Sequence, residues 1–158
     1  MTVVTGDTQE QVAPSAEPAH RTVVGVDGSP ESVAALEWAA DMAETTGATV
    51  VAVASWSWPR GFGQTLLIPA DYDPAADART VVREAVEVVR RDHPTVTFAG
   101  EVVEGRPGDV LVEASRGADL LAVGTRAHHE LAGAVLGSVG EHCATRAHCP
   151  VLVVRATP

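Results

Sequence analysis

The stretch of this chain with the most chemical potential is VGTRAHHELAGAVLGSV, residues 123–139. Val123 and Gly124 close an apolar run, and after twelve intervening residues Gly137 and Ser138 open a helical pattern that continues through Val139. A helix N-terminus presents unpaired N–H groups and about half a positive charge, a combination that holds phosphate without lysine. Glycine at Gly124 and Gly137 would let the backbone come close to a ligand, and the Ser138 hydroxyl could donate to a phosphate oxygen. The same residues also admit a plain structural account. Ser138 and Glu141 have the spacing of a capping box, Gly124 suits a strand exit and Gly137 a turn. From the residues alone both accounts stand.

Asp27 closes another apolar run and could accept a hydrogen bond from a ribose hydroxyl or an adenine amino group. Its structural alternative is an Asx turn that caps the helix starting near Ser29. Trp56 and Trp58 could wall a base pocket by stacking, or could simply cover the sheet edge or a partner subunit. The adjacent pair His128 and His129 does not make a metal site, because neighbouring loop side chains diverge and no carboxylate sits at a ligand spacing. Cys143 and Cys149 are not in a C-x-x-C spacing and read as free thiols. Neither Ser29 nor Ser138 lies in G-x-S-x-G, so no hydrolase triad emerges. All 11 basic residues are arginine. Without lysine there is no Schiff base and no Walker-type phosphate loop.

These residues must be positioned by the elements around them. From Arg21, TVVGVDGS reads as a strand that passes into a helix through Ser29 as N-cap, Pro30 in the first turn and Glu31 as an early acid. Val33, Leu36, Ala40 and Ala43 keep helical spacing up to a stop at Gly47. ATVVAVASW is a second strand, ending at Ser55 and Trp56, and Ser57 to Asp73 a long loop. Val81, Val82, Ala85, Val88 and Val89 form the apolar stripe of a second helix, which Pro94 ends. TVTFAGEVV, ADLLAVG and PVLVVR are further strands. A short helix runs from the Gly105-Arg106-Pro107 turn to about Arg116, and a last one from Ser138 to about Ala147. Strict alternation of strand and helix predicts a parallel α/β sheet covered on both faces, with ligands at the carboxyl ends of its strands. Asp27, Ser55 and Gly124 all fall at or near those ends.

At 158 residues and 46% apolar content the chain suits one domain, 21–158, preceded by an acidic, low-periodicity tail over 1–20. No apolar run is long enough to span a bilayer, and the first residues do not read as a leader; the expectation is a cytoplasmic protein. A formal charge of −10 argues against nucleic acid or an anionic membrane as partner.

Taken in order, VVGVDGSPES, the turn Gly105 to Pro107, ADLLAVGTR and LAGAVLGSVGEHCATRAHCPVLVVR resemble the universal stress protein family over about Arg21 to Arg155. The resemblance implies an open five-stranded parallel sheet in the order 3-2-1-4-5, Rossmann-like and related to the adenine-nucleotide α-hydrolase folds. It also implies a homodimer through the fifth strand, Val151 to Arg155. One branch of the family carries an ATP site written G-x-x-G, nine residues, then G-S or G-T. Gly124 and Gly137-Ser138 hold that spacing here, while Ala127 stands where the second glycine belongs. His128, His129 and Glu130 replace residues that are often small, glycine or basic, and Arg126 is the loop's only permanent positive charge.

Carried over by position, Gly25, Val26 and Asp27 would meet ribose or base, and Ser55 would border adenine. Val123 and Gly124 would flank the nucleoside; Arg126, Ala127, Gly137, Ser138 and Val139 would line the phosphates. The resemblance thus implies an adenine nucleotide, ATP with or without Mg²⁺, held as a regulatory ligand with slow hydrolysis at most. The alternatives are a non-binding dimeric interaction protein, or binding of cyclic AMP or AMP.

Overall fold

The computed structural model describes residues 20–60, 67–125 and 136–156. Nine elements follow one another: β1 (Arg21–Gly25), α1 (Pro30–Thr46), β2 (Thr49–Trp56), α2 (Pro74–Asp92), β3 (Phe98–Glu104), α3 (Pro107–Ala114), β4 (Leu120–Gly124), α4 (Ser138–Arg146) and β5 (Val151–Val154). All strands are parallel, in the order β3-β2-β1-β4-β5. The expected sheet order is therefore observed.

Local chemistry sets most boundaries. At the start of α1 the Ser29 side chain accepts from the Ser32 N–H at 3.2 Å, and Pro30 occupies the first turn, where its missing N–H has no intrahelical partner to lose. The helix ends at Gly47, whose φ of 71° turns the chain left-handed while its N–H returns to the Ala43 carbonyl at 2.8 Å. Asp73 does for α2 what Ser29 does for α1, accepting from the Ala76 N–H at 3.1 Å.

Alternation along the strands divides the core into two layers. Val24, Val26, Val50, Ala52 and Ala54 face α1 and α2, whereas Val23, Val51, Val53, Leu121 and Val123 face α3 and α4. Covered on both faces, β1, β2 and β4 can be apolar at nearly every position. The apolar stripe of α2 differs from the expected one: Ala78, Val82, Ala85, Val86 and Val89 are buried, while Val88 is exposed. Val88 lies about 100° around the helix from Val89, which takes it off the sheet. β3 also begins later than TVTFAGEVV suggests, because Pro94 and Thr95 sit in a turn closed by the Val96 N–H on the His93 carbonyl at 3.2 Å. At the foot of α2, His93 Nδ1 lies 2.7 Å from Glu44 Oε1 and ties the helix to α1.

Cys143 is wholly buried under the second layer, and burial pushes its thiol up from about 9 to about 11. Cys149 moves the same way, mainly through burial, with Asp119 adding to the rise and Arg21 opposing it. A thiol that stays neutral in the fold but ionises in the unfolded chain stabilises the fold fully below pH 9, and that contribution is lost as pH rises towards 11. The expected loss from Cys143 is on the order of 2 kcal/mol. Urea midpoints across this range check it: the fall should be smaller in Cys143→Ala, and parallel curves for the two proteins would contradict it.

Candidate functional site

In a parallel sheet each helix starts just beyond the carboxyl end of the strand before it, so this edge collects both strand ends and helix N-termini. Here they enclose a cavity of about 650 Å³. Gly25, Val26 and Asp27 reach it from β1, Ser55 from β2, Val123 and Gly124 from β4, and Gly137, Ser138 and Val139 from the start of α4. Segments far apart in the chain are thus brought to one space, as their positions at strand ends predict. Arg126, Ala127, His128, His129 and Glu130 lie outside the described residues.

Asp27 realises the structural alternative offered for it. Its Oδ1 accepts from the Ser29 N–H at 2.9 Å and from the Ser29 hydroxyl, an Asx turn that leads into α1. It is exposed and still belongs to the cavity wall, so turn formation and a place at the site coexist. Gly124 has a reason unrelated to any ligand. A Cβ there would lie 2.5 Å from the backbone carbonyl carbon of Glu31 and 2.6 Å from its oxygen, so the close seat of α1 on β4 requires glycine.

The expected capping box at Ser138 and Glu141 does not form. The N-cap of α4 is Gly137, with φ −61° and ψ 160°, and Ser138 is already the first helical residue. From that position a hydroxyl cannot reach back to the N–H of the second or third residue as a cap does. Among the described residues no side chain caps α4. Helix geometry therefore leaves the N–H groups of Ser138, Val139 and Gly140 without intrahelical acceptors; the first ladder bond runs from Glu141 N to Gly137 O at 2.9 Å. These three donors stand at the cavity wall with the positive end of the helix dipole behind them.

A third of the described wall was not anticipated from strand ends and glycines. Tyr72, Pro74, Asp77, Ala78 and Val81 close it from the start of α2, and Pro107, Val110 and Leu111 from α3. The usable signal was Asp73-Pro74, a cap and first-turn proline that mark another helix start at the same sheet edge. Trp56 does line the cavity, meeting the exposed Trp58 edge to face with centroids 6.1 Å apart. The charged side chains of the described wall are Asp27 and Asp77, and no arginine joins them there. Among the described residues no group of three His, Cys, Asp or Glu could hold a metal ion. The described helices include none long and apolar enough to cross a membrane.

A cavity at the carboxyl edge of a 3-2-1-4-5 sheet, beside a helix start that no described side chain caps, accords with the match of residues 18–155 to the family model of the universal stress proteins. The chain belongs to the universal stress protein family. Within that family it is 35% identical over 144 residues to universal stress protein Rv2624c of Mycobacterium tuberculosis, covering 89% of this chain and 50% of the relative. This chain thus spans about half the length of that relative. A universal stress protein crystallised in complex with cAMP superposes with a TM-score of 0.66 at 29% identity, over 89% of this chain and all of that one. The universal stress protein of Archaeoglobus fulgidus, TM-score 0.68 at 22% identity over 85% of this chain and 98% of that one, shares the fold.

Proposed function

We propose that this universal stress domain, residues 21–158, binds an adenine nucleotide in the cytoplasm as a regulatory ligand, in a homodimer. One observation carries the reading: the N-terminus of α4, which no described side chain caps, opens onto a 650 Å³ cavity whose other described walls are apolar side chains and a few polar groups. In this reading the phosphate sits on the Ser138, Val139 and Gly140 N–H groups, with Gly137 and Gly124 alongside. Ribose lies near Asp27, and the base lies among Gly25, Val26, Ser55 and Trp56. Arg126 and Ala127 carry over to the phosphate side by family position and lie outside the described residues. ATP fits if Mg²⁺ travels with it; the Ser138 hydroxyl and Asp27 carboxylate are oxygen donors of the kind a hard cation takes.

A second reading is favoured by charge. Asp27 and Asp77 are carboxylates in the described wall, and each repels the smaller charge of cyclic AMP or AMP less than that of ATP. The cAMP complex of the 29%-identical neighbour points the same way. Thermal melting with each ligand separates the two. Nucleotide at 100 times its Kd should add about 2.7 kcal/mol of stability, and the ligand that raises the melting temperature most at equal concentration is the one selected. If neither ATP with Mg²⁺ nor the monophosphates raises it at millimolar concentration, the site does not bind adenine nucleotides.

Support for the dimer comes from β5. It is the last strand of the sheet and pairs with β4 alone among the described strands. Pro150 and Val154 give their carbonyls to Leu121 and Thr125 of β4. Because a strand alternates direction, Val151 and Val153 turn their backbone groups outward, where a second β5 can pair. Val153→Pro removes one outward donor and leaves the β4 ladder intact. Sedimentation should then show a shift from dimer towards monomer; an unchanged dimer would place the interface elsewhere.

A further inference from the structure

We infer that Asp109 and His142 form a strut that sets where the first turn of α4 stands at the cavity, and so how firmly it holds a phosphate. The inference rests on the adenine-nucleotide reading and adds to it two positioning residues that touch no ligand.

His142 lies one turn below Ser138, Val139 and Gly140, whose N–H groups have no intrahelical acceptor. Its Nε2 is 2.9 Å from Asp109 Oδ1 in the first turn of α3. The contact is an ion pair when the imidazole carries its second proton. The imidazole is also seated sterically. A Cβ on Gly108 would come within 2.8 Å of His142 Cδ2 and 3.0 Å of Cγ, so the ring rests on bare backbone and cannot sink further. Contact below and the Asp109 carboxylate at its far edge bound the ring in two directions. Both helices held this way reach the cavity, α3 through Pro107 and Val110, α4 through Ser138 to Gly140.

The helix has other anchors, but they constrain it differently. Cys143 is buried against the sheet, and a Cβ on Gly140 would meet Leu136 at 2.9 Å. These hold α4 down on the sheet; across to α3 the strut adds to an apolar seam of Val110, Leu111 and Ala114 with Val139 and Cys143. Asp109 is largely exposed and His142 about one-third exposed, so the pair adds little to folding stability. Its consequence is positional.

The test compares ATP with Mg²⁺ against adenosine, titrated calorimetrically into wild type, Asp109→Ala, Asp109→Asn and Gly108→Ala. Asp109→Ala removes the acceptor, and Gly108→Ala lifts the ring while giving α3 a better helix former. Both should weaken ATP by about fivefold, the low end of what a coupled contact transmits, with adenosine unchanged. Asp109→Asn keeps the side chain's shape without its charge and should weaken ATP by less than Asp109→Ala does. Equal losses for ATP and adenosine, or no loss for either, would overturn the strut while leaving the nucleotide site standing. Wild type that binds neither ligand would instead overturn the nucleotide reading itself, and the strut with it.

Discussion

Gly124→Ala is expected to destabilise the fold by about 3 kcal/mol, against the usual direction for a glycine outside the left-handed region. At an ordinary strand position alanine restricts the unfolded chain and gains a few tenths of a kcal/mol to about 1 kcal/mol. At Gly124 the added methyl would sit 2.5 Å and 2.6 Å from backbone atoms of Glu31, and backbone in the first turn of a capped helix cannot rotate away. Either α1 lifts from β4, opening the layer around Ala35 and Leu36, or β4 bends and strains its pairing with β5. Gly47→Ala is the control. There the φ is +71° but a Cβ would meet nothing within 4 Å, so the expected loss is only about 1 kcal/mol, from conformation alone. Urea unfolding of both variants checks the order; equal losses would mean that α1 does not press on β4.

Ser138→Asp should separate folding from binding. An acid in the first turn of a helix complements its dipole and adds about 0.5 kcal/mol of stability. Beside a phosphate the same carboxylate repels: two like charges about 4 Å apart cost about 1 to 4 kcal/mol between bulk water and a protein surface. The ligand-free variant should melt at or slightly above the wild-type temperature and bind ATP or AMP at least about tenfold more weakly. Adenosine, with no phosphate, should bind both proteins alike. A variant that binds all three ligands like wild type would remove α4 from the site.

What the sequence disclosed depended on how local its cause was. Ser29, Pro30 and Gly47 specify α1 through groups within four residues of one another, and all three were legible. Asp27 was legible twice over, as an Asx turn and as a carboxylate at a strand end. Ser138 was misplaced by one position, since serine at the first helical residue and serine at the cap look alike until the backbone dihedrals of Gly137 are known. The reason for Gly124 could not be read at all, because it lies in Glu31, ninety-three residues earlier in the chain. Asp77 and Tyr72 were passed over for the same reason: only packing brings the start of α2 to the ends of β1 and β2. The family motif supplied what local reasoning could not, namely the strand order and the pairing of Gly124 with Gly137-Ser138 across twelve residues.

The central claim is that the cavity at the start of α4 holds an adenine nucleotide through its phosphate. Calorimetric titration of the purified wild-type protein with ATP and Mg²⁺, AMP, cyclic AMP and adenosine tests it most directly. The expected result is one site per chain, a Kd below about 0.1 mM for at least one of the nucleotides, and weaker binding of adenosine. No heat from any nucleotide at millimolar concentration, or adenosine binding as tightly as the best of them, would contradict it.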